Sequence, residues 1–427
     1  MGIFWPLTWG TIQVSAQWTS RGGLPIPLHR FQMIKISPLS VSSIPATQLL
    51  PGIHALRAVA ALTILLFHLR YIADILPPST LQSTIGGHFF TGVILFFVLS
   101  AFSLAFSTIP TMSRERWVRD YLIRRFFRIA PLFYFMMPLY VWLIHSRGWA
   151  QPDLQTWIMN ISFLFNLVPG KHEGIVWASW TIGVEVLFYV IFPVFLLISN
   201  RRLALALVLI GGIAISISAR SLIDKAGLAG DYGKYAFISS LGVFLTGFVS
   251  FKLYHLARKQ IAVGAWQPQF VKGACALVCA LCLIANFAPF GFNPGSPGRP
   301  DLMVWSILFA ATAIWQALFP SPWFANRPLQ WIGERSYGIY LMHPLVIGVF
   351  TPQIKALYLA LQPSVGDWAF FVVGALTMLV VVALANVVYH LVERPGMQMG
   401  KRLLTHLRDR PAVQASGAST VQQTIAS

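Results

Sequence analysis

Between Ile53 and Ile72 the chain reads IHALRAVAALTILLFHLRYI, a run apolar enough to cross a bilayer that still carries His54, Arg57 and His68. About 20 mostly apolar residues span the hydrocarbon core as a helix, and ionisable groups inside such a span are costly and mark functional sites by default. Arg57 and His68 lie 11 positions apart. That is about three helical turns, so they share a face and stand roughly 16 Å apart along the axis. One end of the face can meet a ligand arriving from one side of the membrane while the other reaches towards the middle. Taken singly, Arg57 reads equally well as an arginine snorkelling to the headgroups, and His68 as a histidine bonded to a neighbouring helix.

Further apolar segments follow at about 86–108, 129–146, 176–198, 203–219, 236–254, 272–290, 302–319, 336–352 and 368–391. Only 10% of the residues are charged, against about a quarter in soluble domains. The sequence therefore predicts an all-α, polytopic transmembrane helix bundle of about ten spans, with the lipid bilayer as a partner. The net charge of +18 does not point to nucleic acid, because the basic residues fall between the apolar spans and read as topology signals. One stretch, Leu154 to Val168, is short and holds Asn160 and Asn166. If it does not cross, both termini lie inside with 22 Lys and Arg in inside segments and 8 outside; if it crosses, the count is 15 against 15. The excess of positive charge on the cytoplasmic side favours the first arrangement. Residues 154–168 are thus expected as a re-entrant or interfacial segment on the outer side, with both termini cytoplasmic.

Residues 1–48 carry no periodic apolar face and read as a disordered or loosely attached cytoplasmic arm, with Met33 as an alternative start. Residues 49–396 form the membrane domain. The tail, 397–427, is basic and then Ser/Thr/Gln-rich, and is expected to be disordered. Cys275, Cys279 and Cys282 share one apolar span without the spacing partners of a metal site, so they read as packing residues and no metal is expected.

Five stretches can carry chemistry besides the first. In GVILFFVLSAFSLAFS (92–107), Ser100, Ser103 and Ser107 share a face suited to close helix packing. The basic run RERWVRDYLIRRFFRIAPLFY (114–134) holds Arg124, Arg125 and Arg128. It serves as a topology signal, and its arginines are also suited to bidentate binding of phosphates. In WASWTIGVEVLFYVIFP (177–193), Glu185 is an acid within an apolar span, beside Tyr189 and after Trp180. A buried carboxylate must pair, hydrogen-bond or stay protonated, and Glu185 reads either as a bundle ion pair or as a partner that orients a histidine. RSYGIYLMHP (335–344) places Ser336, Tyr340 and His343 on one helical face, and HLVERP (390–395) offers Glu393 to a cytoplasmic arginine.

Together these residues resemble acyltransferase family 3, integral-membrane acyltransferases that modify bacterial surface sugars and other molecules. The resemblance rests on Arg57 and His68 with ten residues between them, GVILFFVLSAF (92–102), RRFFRIAP (124–131), WTIGVEVLFYVIFP (180–193), SYGIYLMHP (336–344) and ERP (393–395), in the family's order. Ala101 departs from the glycine often found there, and the arm before the first span is longer than is typical. The chain ends soon after this core and is similar to stand-alone members. The resemblance implies an inner-membrane enzyme that moves an acyl group, usually acetyl, from cytoplasmic acyl-CoA to a hydroxyl of a surface glycan or lipid-linked sugar. No permanently bound cofactor is implied. In that scheme His68, Arg57 and Glu185 are catalytic, Arg124, Arg125 and Arg128 hold the donor, and Trp180, Tyr189, Ser336, Tyr340 and His343 contact substrate. A transporter or flippase of a glycan or anionic substrate is the alternative, but inverted repeats and broken midplane helices are not evident.

Overall fold

A backbone in lipid must satisfy its own N–H and C=O groups, and among the described residues the predicted apolar spans fall on helical segments in the computed structural model, the one at 336–352 being divided at Phe350. The structure describes residues 50–199, 201–228, 230–287 and 301–409, and among these there is no strand. In chain order the helices are α1 (Pro51–Ile72), α2 (Gln82–His88), α3 (Gly92–Thr108), α4 (Trp117–Ser146), α5 (Leu154–Ile161), α6 (Trp180–Ile198), α7 (Arg202–Lys225), α8 (Tyr232–Tyr235), α9 (Phe237–Ala262), α10 (Pro268–Phe287), α11 (Asp301–Leu318), α12 (Arg327–Glu334), α13 (Ser336–Val349), α14 (Thr351–Val365), α15 (Ala369–Val388) and α16 (Arg394–Asp409). Among the described residues, eight helical stretches are long and apolar enough to cross a membrane. Two of the ten predicted spans, at 302–318 and 336–349, are shorter apolar helices. The chain is a polytopic helical membrane protein.

The first helix lies against α3, α11, α12 and α13, while α9 packs on α3 and α7. Stacked rings tie α3, α9 and α6 together: Phe244 lies 4.5 Å from Phe97 and 4.3 Å from Phe188, centre to centre. That stack holds the polar sides of α3 and α6 beside each other.

The basic run at 114–128 belongs to a helix of 30 residues that continues through Pro131 and Pro138. At 1.5 Å per residue α4 is about 45 Å long, longer than the apolar thickness. Its first turns carry Asp120, which is buried and held by Arg119 on one oxygen and Arg408 on the other, at 2.9 and 2.6 Å.

Arg408 belongs to α16, and here the sequence reading needs correction. The tail expected to be disordered from residue 397 is helical to Asp409; the residues after it, like the 1–48 arm, lie outside the described residues. Gly396 and Gly400, four apart, let α16 lie directly on α4. A Cβ at either would stand 2.6 Å from Pro131 or 2.7 Å from Phe127. A second helix not foreseen is α14, which follows α13 after one residue; Pro352 opens it and Gly366 ends it at φ +59°, a conformation that favours glycine.

Residues 154–168 contain only the eight-residue α5 and a 3₁₀ turn at Phe165–Leu167. Eight residues rise about 12 Å, so the segment cannot span as a helix. Leu154, Ile158 and Ile161 are exposed, the pattern of a helix lying in the membrane interface. Asn160 and Asn166 are fully buried and staple the loop. Asn160 Oδ1 accepts from Ile175 N at 2.9 Å; Asn166 Oδ1 accepts from Phe237 N at 2.8 Å and its Nδ2 donates to Tyr235 O at 2.9 Å. Each backbone group left bare there costs about 1–3 kcal/mol. Asp153 caps α5 and accepts from Lys171 Nζ at 2.7 Å, which holds its carboxyl well below the usual range.

Candidate active site

Four of the motif stretches and α1 converge on a cavity of about 110 Å³. Arg57 enters from α1, Ser100 from α3, Arg125 and Arg128 from α4, Thr181, Glu185 and Tyr189 from α6, and Ser336, Tyr337 and Tyr340 from α13. Phe96, Phe97 and Ile129 supply part of the apolar wall. Three guanidinium groups thus face one small space whose lining, among the described residues, holds a single carboxylate, Glu185. An excess of positive charge in a low-dielectric site is a binding site for an anion.

Glu185, Arg125 and Arg128 are each held by named partners. Glu185 Oε1 accepts from Ser100 Oγ and from Tyr189 Oη. Arg125 Nη2 donates to Ser107 Oγ at 2.7 Å, and its guanidinium lies 5.8 Å from both the Tyr121 and Tyr189 rings. Arg128 pairs with Glu393 at 2.9 Å and lies over Tyr337 at 5.7 Å. Glu393 reaches inward from a π-helical turn at Tyr389–Glu393; such turns are frequent at functional sites. Tyr337 Oη in turn donates to Ile129 O at 2.8 Å.

At the other end of the cavity Tyr340 Oη donates to Ala178 O at 2.9 Å, and Thr181 Oγ1 donates to Tyr340 Oη at 2.9 Å. Ala178 has φ +62°, a backbone conformation that costs a non-glycine residue about 1–3 kcal/mol. The strain turns a carbonyl towards the tyrosine immediately before α6 begins. Beyond Tyr340, whose ring centre is 5.6 Å from that of His343, lies a pair of histidines. His343 Nε2 is 3.0 Å from His68 Nδ1. Arg57 and Ser336 meet at the cavity while His68 and His343 meet here, so α1 and α13 run in the same direction with their polar sides together.

The arrangement sorts the residues singled out in the sequence. Arg57, Arg125, Arg128, Glu185, Tyr189, Ser336 and Tyr340 surround the cavity together. Arg124, though adjacent in sequence, does not line it, and neither does Trp180, whose ring lies 6.0 Å from Phe97 and 4.7 Å from Tyr235. His68 and His343 lie outside it, and His343 is 1% exposed. Glu185 as an orienting partner of a histidine is corrected: its hydrogen bonds go to Ser100 and Tyr189, because α6 brings it to α3 at the level of the arginines. Ser100, read as packing, and Thr181 and Tyr337, not singled out, are polar members of the site. The available signal was a hydroxyl within an apolar span, which is too common to identify a site alone.

A family model described as an acyltransferase domain matches residues 50–387. The peptidoglycan O-acetyltransferase OatA of Listeria monocytogenes is 24% identical over 380 residues, covering 82% of this chain and 56% of OatA. YrhL of Bacillus subtilis, provisionally named a peptidoglycan O-acetyltransferase, is 27% identical over 387 residues, covering 83% of this chain and 56% of YrhL. The chain thus spans a little over half the length of the curated relatives it matches. No solved structure matches it significantly. The match runs through the first span, the arginine helix, the Glu185 helix and the Tyr340–His343 helix, and on it the chain belongs to the membrane acyltransferases of family 3.

Proposed function

We propose that the chain is a membrane-bound O-acyltransferase that moves an acyl group, acetyl by preference, from cytoplasmic acyl-CoA to a hydroxyl of a cell-surface glycan or lipid-linked sugar. The observation that carries this reading is a cavity lined by three arginines and by Tyr340, whose ring centre lies 5.6 Å from that of His343 in the His68–His343 pair. Anionic phosphates suit the arginines and proton transfer from a hydroxyl suits the histidines. The names of the two relatives support acetyl as the group and a glycan as the acceptor.

In this scheme Arg125 and Arg128 bind the donor's phosphates, with Arg124 at the approach. Arg57, three turns from His68, belongs with the phosphates rather than with the thioester oxygen. Glu185 offsets the arginine charge and fixes Tyr189 and Ser100. The thin pantetheine arm passes Ser336 and Tyr340 and brings the thioester to the histidines. His68 Nε2 takes the hydroxyl proton as the acceptor oxygen attacks the thioester carbon. Collapse of the tetrahedral intermediate breaks the C–S bond, and His68 returns the proton to the departing thiolate. A well-placed base of this kind contributes about 10²–10⁴-fold.

The test is mass spectrometry of cell-surface glycans and lipid-linked sugars from cells with and without the gene. The expected result is loss of one acyl group per modified sugar. An unchanged acylation pattern with altered surface display would favour a flippase instead.

For a chain in the inner membrane, the 22-to-8 charge asymmetry favours an orientation with the arginine end and both termini in the cytoplasm. In a background without native cysteines, Ala265→Cys is expected to resist impermeant thiol reagents in intact cells while Gln151→Cys reacts. Labelling of Ala265→Cys instead would invert the later half of the chain.

A further inference from the structure

The histidine pair assigns its own protons. A backbone carbonyl can only accept, so a ring nitrogen bonded to one carries hydrogen. His68 Nδ1 lies 3.0 Å from Ile64 O, and His343 Nδ1 lies 3.2 Å from Ile339 O, each one turn back on its own helix. The third contact, His343 Nε2 to His68 Nδ1 at 3.0 Å, joins the two rings. One assignment satisfies all three. His343 holds its proton on Nδ1, and its Nε2 lone pair accepts from His68 Nδ1–H, which is shared with Ile64 O. A proton on His343 Nε2 would force a lone pair on His68 Nδ1, and that lone pair would then face the Ile64 oxygen.

The consequence falls on the remaining nitrogen. With its proton fixed on Nδ1, His68 presents a bare lone pair at Nε2. That atom has no hydrogen-bond partner among the described residues and is absent from the buried unpartnered atoms, while His68 itself is only half-buried. His343, 1% exposed, has no surface with which to touch a substrate.

We propose that His343 is a positioning residue: Ile64 O already accepts the helical N–H of His68 and holds the ring proton only as a shared acceptor, and His343 Nε2 supplies the second acceptor that keeps His68 in the Nδ1–H form and aims its Nε2 lone pair outward as the base. This rests on the acyl-transfer reading given above. It also revises the sequence expectation that His343 contacts substrate. In the reaction the hydroxyl proton goes to His68 Nε2, and the ring becomes an imidazolium with hydrogen on both nitrogens. Its Nδ1–H bond to the neutral His343 is then charge-assisted and roughly twice as strong as before. When Nε2 gives its proton to the thiolate, both rings return to their starting forms. Which nitrogen of a histidine carries the proton is generally set by the bond the other one makes.

Two variants and one spectrum test this. Glutamine at this position offers an amide oxygen at about the reach of Nε2, and leucine fills similar space with no acceptor. His343→Leu is expected to lower kcat about 100-fold with donor and acceptor KM unchanged, while His343→Gln retains kcat to within about 5-fold, since loss of the tautomer-holding partner acts on the chemical step. Equal loss in both variants, or wild-type kcat in His343→Leu, would overturn the proposal.

The spectrum is ¹⁵N NMR of imidazole-labelled protein, with the His68 signals identified by their absence in His68→Gln. It should show His68 protonated at Nδ1 and bare at Nε2 in the wild type, and a mixture of tautomers in His343→Leu. A proton on Nε2 in the wild type would refute the assignment. The spectrum needs no acyl donor, so it judges the histidine pair even if the glycan comparison denies acyl transfer.

Discussion

His68→Ala is expected to leave the protein inserted and folded and to lower acyl transfer by about 10²–10⁴-fold, the range for a lost acid–base group. Alanine is the best helix former, so α1 persists through the change. Among the described residues, the only tertiary hydrogen bond lost is the one to His343, at a net cost of about 1 kcal/mol. The loss should fall on kcat, because the donor's phosphates sit three turns away at the arginines. The measurement is turnover of purified protein in lipid, with a thermal melt as the folding control. Wild-type turnover by a folded His68→Ala protein would remove His68 from the mechanism.

The second large effect concerns the donor. Arg125→Ala is expected to weaken acyl-CoA binding roughly 10–100-fold, the equivalent of one charge-assisted hydrogen-bonding group, with little change in acceptor affinity. Arg125→Lys should recover part of this, since it keeps the charge but not the planar fork. A pure topology signal would be restored fully by lysine, because the positive-inside rule counts both residues alike. Arg125 is the cleaner position because its hydrogen bond is to a serine. Arg128→Ala would also strand Glu393, a buried carboxylate whose other oxygen has no partner among the described residues, and breaking such a pair costs about 3–5 kcal/mol. Acyl-CoA affinity by calorimetry decides the matter. Unchanged affinity in both Arg125 variants would move the donor site towards Arg57 and α12.

How much was legible in the sequence follows from where each kind of information resides. Span positions are local, because apolar length alone sets them, and among the described residues they fall on helical segments. The noncrossing character of 154–168 was legible from charge, a global count; the roles of Asn160 and Asn166 as staples were not, since their partners lie up to 71 residues away. Arg57, Arg125, Arg128, Glu185, Ser336 and Tyr340 could be gathered because each stands out as polar within or beside an apolar run. Which of them touch could not be read. Glu185 and His68 were both candidates for one partnership, and only packing shows that α6 delivers Glu185 to Ser100 while α13 delivers His343 to His68. The helical start of the tail was hidden because its stabilisation is tertiary: Arg408 on Asp120, and two glycines against α4.

The parallel pairing of α1 and α13 carries a rule about chain length. Arg57 must reach the cavity while His68 reaches His343, so the ten residues between them act as a spacer of fixed count. Side chains along that spacer are closely packed, with Ala58, Ala60 and Leu65 fully buried, and a substitution there is met by its own immediate neighbours. A single inserted or deleted residue cannot be absorbed in the same way, because it turns everything after it by about 100° and shifts it by about 1.5 Å. Substitution and change of length are therefore unequal perturbations in this helix. The first acts on one contact, and the second disconnects the two ends of the site from each other.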